Sequence, residues 1–94
     1  MDIIKFNQLQ FKSESGDWVD PEGTTDIQAW VPLPNGLSVS VVKNELSYGG
    51  KKGLYEVGVY NGEDMYHVDD WGDQVKGWLD EEEVELTLDF ISRL

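Results

Sequence analysis

Five consecutive residues, Gly49-Gly50-Lys51-Lys52-Gly53, set two ammonium groups on a pliable backbone just after Tyr48. Such a stretch could cradle an anion, since glycine lets backbone N–H groups approach a ligand closely. A phosphate loop needs more than this. Its lysine is followed by Ser or Thr, and the loop opens a helix whose N-terminus holds the charge. Here the hydroxyl is missing, and the β-rich run Leu54-Tyr55-Glu56-Val57 follows. The better reading is the tip of a hairpin kept solvated by its lysines. Tyr48, Gly49, Gly50, Lys51 and Lys52 stand as an alternative ligand loop for a small anion or a nucleotide.

The remaining chemistry is sparse. His67 is the lone histidine and there is no cysteine, so disulfides, thiolate catalysis and structural zinc are closed to the chain. No Gly-x-Ser-x-Gly elbow supports a serine nucleophile, and His67 alternates with Tyr66 and Val68 as a surface strand residue would. Asn61-Gly62-Glu63-Asp64 and Asp69-Asp70-Trp71-Gly72-Asp73 offer oxygen ligands, but neither follows the twelve-residue calcium loop. A carboxylate pair for glycoside hydrolysis needs a deep cleft that a chain of 94 residues has little room to build. No enzyme activity and no cofactor are expected.

Charge is the strongest compositional signal. The chain carries a formal −12, and between Glu56 and Asp89 twelve acids face the single base Lys76. That surface repels a phosphate backbone, so direct nucleic-acid binding is not expected. It attracts basic protein surfaces and speeds their approach at low salt. The acids that could form such a face are Asp64, Asp69, Asp70, Asp73, Glu81 and Glu82, with Trp71 among them. Trp18, Trp30 and Trp71 are candidate anchors of the kind that dominate interface energies, with core filling as the plain alternative.

These residues need elements to hold them. Ile3 to Phe11 alternates loosely and reads as a strand or edge segment. Ser13 to Asp26 is rich in turn formers and reads as a loop whose Trp18 folds back on the core. Ile27, Ala29, Val31 and Leu33 share one face of a strand, and Pro32 places that strand at an edge or at a fraying end. Pro34-Asn35-Gly36 makes a turn, and Leu37, Val39 and Val41 return. Leu54 to Tyr60 and Met65 to Val68 complete a four-strand antiparallel meander. Asp80 then caps a helix from about Glu81 to Arg93. Glu83 completes a capping box and Leu79 staples onto Val84. Val84, Leu88 and Ile91 form its apolar stripe, widened by Leu86, Phe90 and Leu94. The acidic triplet Glu81-Glu82-Glu83 therefore also has a purely structural use at the helix start.

The fold class expected is α+β, an antiparallel β-meander of about four to five strands packed against one C-terminal α-helix. One domain spans 1–94, with a poorly specified strand and loop over 1–26, the meander over 27–79 and the helix over 80–94. No apolar run is long enough to span a membrane, and the N-terminus is too polar for a signal peptide, which favours a cytosolic protein.

The blocks Asn35-Gly-Leu-Ser-Val-Ser-Val-Val42, Ser47-Tyr-Gly-Gly-x-x-Gly-Leu-Tyr-Glu-Val57 and Asp73-x-Val-x-Gly-x-Leu79 followed by Asp80-Glu-Glu-Glu-Val84 resemble a group of small tailed-bacteriophage proteins. The likeness covers about residues 28–94, and Tyr-Gly-Gly-x-x-Gly-Leu is its most specific part. That group has no agreed activity, so no catalytic residue is carried over. The resemblance implies an accessory protein acting in the cytoplasm of a bacterial host. It suggests a partner there with a basic surface, such as the nucleic-acid groove of a defence nuclease. Self-assembly through the strand over 27–33, or a homodimer that enlarges a thin core, are the other uses the sequence allows.

Overall fold

The computed structural model describes residues 4–72 and 74–94; Asp73 and the three residues before Ile4 lie outside the described residues. Among the described residues seven strands form one antiparallel sheet: β1 (Phe11–Ser13), β2 (Trp18–Val19), β3 (Ile27–Pro32), β4 (Ser38–Lys43), β5 (Tyr55–Asn61), β6 (Asp64–Met65) and β7 (Val75–Leu79). The order is β2-β1-β3-β4-β5, and β6 and β7 both pair with β5. The α-helix α1 (Glu81–Ser92) follows β7. This is an α+β fold, with more strands than the sequence reading supplied.

Alternation decides what each face carries. Ala29, Val41 and Val57 lie opposite one another on the covered face, as do Val31, Val39 and Val59 in the next row. Val84, Leu88 and Ile91 of α1 are buried with them, together with Phe6, Phe11 and Tyr55. Those three rings contact one another at 5.1–5.8 Å between centroids. Each such apolar side chain taken from water contributes about 1.5–3 kcal/mol. The outer face carries different rows. One runs Trp18, Lys12, Gln28, Val42, Glu56. The next runs Trp30, Ser40, Gly58, Val75, and the last Pro32, Ser38, Tyr60, Met65.

The helix start follows its sequence signals. Asp80 Oδ1 accepts from Glu83 N–H at 2.8 Å, and Glu83 Oε1 accepts from Asp80 N–H at 3.2 Å. Leu79 and Val84 on either side of the cap are both buried. Pro32 also finds the place its chemistry demands. Leu33 N–H donates to Leu37 O across the hairpin, so the Pro32 nitrogen points the other way. On that side β1 pairs only with residues 27–29, which leaves the second half of β3 as an edge. The strand is thus interior at its start and open only at its end.

Several expectations are corrected. Ile4 to Gln10 is not a strand: a 3-10 turn occupies Phe6–Gln8, and strand begins at Phe11. The loop over 13–26 contains β2, whose Trp18 stays 63% exposed and does not fold back on the core. The returning strand stops at Met65. Tyr66–Val68 is irregular and a 3-10 turn follows over Asp69–Trp71. Strand β7 was not foreseen. A bulge against Tyr55–Val57 breaks its period-two pattern, with Trp78 at φ +61° inside it.

Candidate functional site

The acids expected to form a working face divide among three places. The 3-10 turn sets Asp70 and Trp71 beside the middle of α1, where they line a groove of about 250 Å³ with Lys76, Leu86, Thr87 and Phe90. Trp71 packs against the core rather than standing free. Asp69 is exposed in the same turn, 3.9 Å from His67 Nε2. Glu82 lies four residues before Leu86 on α1 and so shares its stripe. Glu81 departs from this group and lines a second cleft. Asp64 lies in the short β6 opposite Asn61, and Asp73 falls outside the described residues.

Leu86 was missed as a surface residue. Its apolar character widens the stripe in the sequence, but it is 63% exposed, and Leu94 is also exposed. Val84, Leu88 and Ile91 alone complete the buried helix face with Thr87. The signal available was position: Leu86 stands two residues from both Val84 and Leu88, about 200° around the helix from each. The groove therefore has an apolar floor of Trp71, Leu86 and Phe90, with Asp70 and Lys76 also in its lining. Among the described residues one ion pair of permanently charged groups forms, Asp89–Arg93, and His67 lies near Asp69; both involve exposed groups. Most of the negative charge on this side is left without a counter-ion.

The second cleft, of about 460 Å³, lies where the loop over 22–25 meets the glycine–lysine loop and the start of α1. Lys43 and Tyr55 form its inner wall. Lys43 lies opposite Ile27 on the covered face of the sheet and is only 5% exposed. Its Nζ donates to Pro21 O at 2.6 Å and sits 5.0 Å from the centre of the Tyr55 ring. Burial lowers the pKa of this ammonium, with Glu81 pulling the other way. Tyr55 is buried too, yet its hydroxyl makes no hydrogen bond among the described residues. No buried polar side-chain atom among them lacks a partner, so this hydroxyl opens on the cleft. Burial, with Glu81, Asp20 and Glu22 nearby, pushes its pKa up to about 12.

The glycine–lysine loop is more built than a hairpin tip. Gly50–Lys52 forms a 3-10 turn between left-handed Gly49 and Gly53. A Cβ on Gly50 would sit 1.7 Å from Asn44 O, and one on Gly77 would sit 2.2 Å from Tyr48 Cβ. Trp78 N–H donates to Tyr48 O at 3.1 Å, and Tyr48 N–H donates to Glu56 Oε2 at 2.8 Å. The loop is thus fastened to β5 and β7, and its glycines serve close packing. Of the five alternative ligand residues, Gly50 and Lys51 line the cleft. Gly49 is buried against Trp78, Tyr48 is exposed, and Lys52 points to solvent. Three carboxylates (Glu22, Asp80, Glu81) face the two lysines across this cleft. Among the described residues no three potential metal ligands gather into a cluster. No helix among them is long and apolar enough to cross a membrane. Comparison with known families, curated proteins and solved structures returns no match.

Proposed function

We propose that this chain is a non-catalytic binding protein that docks its acidic helix side onto a basic protein surface. The observation that carries the reading is the groove between Trp71 and Leu86, an apolar seat lined by Asp70 and Lys76 with Glu82 one helical turn from Leu86, neither of these two acids being in an ion pair among the described residues. Apolar contact would hold a partner there while the surrounding charge steers it in. The resemblance to phage proteins points to a host target. A line of carboxylates can stand in for phosphates on the groove of a defence nuclease.

The test is capture of partners from bacterial lysate at low and at about 0.5 M salt, where screening shortens the Debye length several-fold. Three baits are compared: wild type, Asp70→Lys/Glu82→Lys, and Lys51→Ala/Lys52→Ala. Docking requires a partner held by wild type and the lysine-loop variant, lost at high salt and lost on charge reversal. Duplex DNA should compete for it if the partner is a nuclease. Retention of the same partner by the charge-reversed bait would overturn the reading.

A second reading rests on the Tyr55 hydroxyl that opens on the Lys43 cleft. Lys43 has two further N–H donors there, and the carboxylates opposite could hold a positive group. The cleft then suits a small ligand of mixed charge better than a nucleotide. Glycine and inorganic phosphate, each added to the 15N-labelled protein, separate these cases. Shifts at Lys43 and Tyr55 with glycine alone are expected, and shifts with neither probe would remove this reading.

A further inference from the structure

We infer that the outer face of the sheet is a self-association surface that seats a second copy of this chain. The face is uncovered: α1 lies on the other side, and Trp18 and Trp30 stand 63% and 51% exposed. Its paired rows also carry little charge. Its three rows hold one cation, Lys12, and one acid, Glu56, on a chain whose formal charge is −12. Glu14 and Asp26 line a pocket at one end of the face beside Lys12, Gln28 and Val42; away from that end acids are few, and two copies of so acidic a protein approach most easily there.

The placement of the two charges is self-complementary. Lys12 and Glu56 occupy the same row, on β1 and β5, one strand outside β3 and β4 respectively. Consider a two-fold axis parallel to the strands, running between β3 and β4 in the plane between two sheets. It exchanges β3 with β4 and β1 with β5. Lys12 then faces Glu56 of the second copy, and Glu56 faces its Lys12, as an isologous contact requires. Glu56 keeps Oε1 for this, since Oε2 is held by Tyr48 N–H. Trp30 leans across β4 to Tyr60, with ring centroids 5.2 Å apart, which brings its ring over the axis. The two Trp30 rings of a dimer meet there. Sheets packed in this aligned manner lie about 10 Å apart.

The patch is small. Four strand spacings of about 4.8 Å by two residue pairs along the strand, with side-chain margins, give a footprint on the order of 500 Å² per copy. A standard stable interface buries roughly 800 Å² per partner. The dimer is therefore a weak one that responds to concentration.

Sedimentation velocity on the full chain, from about 5 to 500 µM and at about 0.05 and 0.5 M salt, tests this. Wild type should move from monomer to dimer with concentration. Added salt should strengthen the dimer, because screening the repulsion between two copies outweighs weakening two ion pairs. That sign is opposite to the one expected for docking on a basic partner, so either proposal can fail without the other. Lys12→Glu should hold the chain monomeric across the range, and Lys12→Glu/Glu56→Lys should restore the dimer. Trp30→Ala should weaken association by tenfold or more while leaving the far-ultraviolet circular dichroism unchanged. A wild type that stays monomeric at the highest concentration overturns the inference. So does a dimer that both Lys12→Glu and Trp30→Ala leave intact.

Discussion

The two faces of this sheet are made by the same strands and could hardly differ more. On the covered face, Val39, Val41, Val57 and Val59 meet Val84, Leu88 and Ile91 of the helix, and all are fully buried or nearly so. On the outer face the same strands present Ser38, Ser40, Trp30, Tyr60 and Gly58. Branched aliphatic side chains fill space against a partner element; aromatic and hydroxyl side chains cover a sheet that has none. Ser40 shows how local that cover is. It is buried although it lies on the open side, and its hydroxyl accepts from Gln28 Nε2 at 2.8 Å. What separates the faces is therefore how much stability each residue carries, and substitution can measure it.

The largest effect should come from the covered face. Leu88→Ala removes a side chain that is 1% exposed and leaves a cavity between helix and sheet. A loss of about 2–5 kcal/mol is expected in urea denaturation. Trp30→Ala on the outer face should cost the monomer only about 1 kcal/mol, chiefly its contact with Tyr60. Equal losses at the two sites, measured at a protein concentration low enough to keep the chain monomeric, would mean that the outer face is a second core.

The same contrast appears between glycines. Gly50 and Gly77 stand where backbone and Tyr48 crowd in, whereas Gly53 has open space around it and only a left-handed backbone, φ +78°, to defend. Gly77→Ala or Gly50→Ala should destabilise by about 3 kcal/mol through overpacking. Gly53→Ala should cost nearer 1 kcal/mol, the strain of a Cβ in the left-handed region. If Gly53→Ala proved the worst of the three, the loop would be held by its turn geometry and not by its packing on β5 and β7.

Those glycines also mark the limit of what could be read in advance. The hairpin of β3 and β4, the strand β5 and the helix start were legible because each rests on a local rule: alternation, a Pro-Asn-Gly turn, a capping box. Strand β7 was not, because its bulge and its two partners, Tyr48 and β5, are distant in sequence. The same holds for the candidate sites. Asp70 and Trp71 were legible as an acidic and aromatic stretch, but Leu86 and Phe90 join them only once α1 is laid against the 3-10 turn. Lys43 gave only a conflicting signal. It continues the alternation of Leu37, Val39 and Val41, so its place on the covered face follows from the pattern, but a lysine at that point reads as the end of a strand.

The Lys43–Tyr55 pair leads to an effect in which two groups oppose each other, and one whose sign can be worked out. Tyr55 has its pKa raised to about 12 in the folded chain, against 10 when unfolded. The fold therefore prefers the neutral phenol. That preference is fully present below pH 10 and is lost as pH rises from 10 through 12. Lys43 has its pKa lowered, so the fold disfavours its charged form, and that penalty is relieved as pH rises toward 10.5. The two groups oppose each other near pH 10, and Tyr55 alone acts above it. Wild type should thus lose stability between about pH 10.5 and 11.5, read as a falling urea midpoint, and Tyr55→Phe should lose less. The phenolate absorbance that this substitution removes should titrate near pH 12. Lys43→Met should leave the decline above pH 10.5 in place while abolishing any gain below it. If Tyr55→Phe instead tracks wild type through the whole range, the phenol is not held by the covered face, and the cleft loses the group that sets it apart from the rest of the surface.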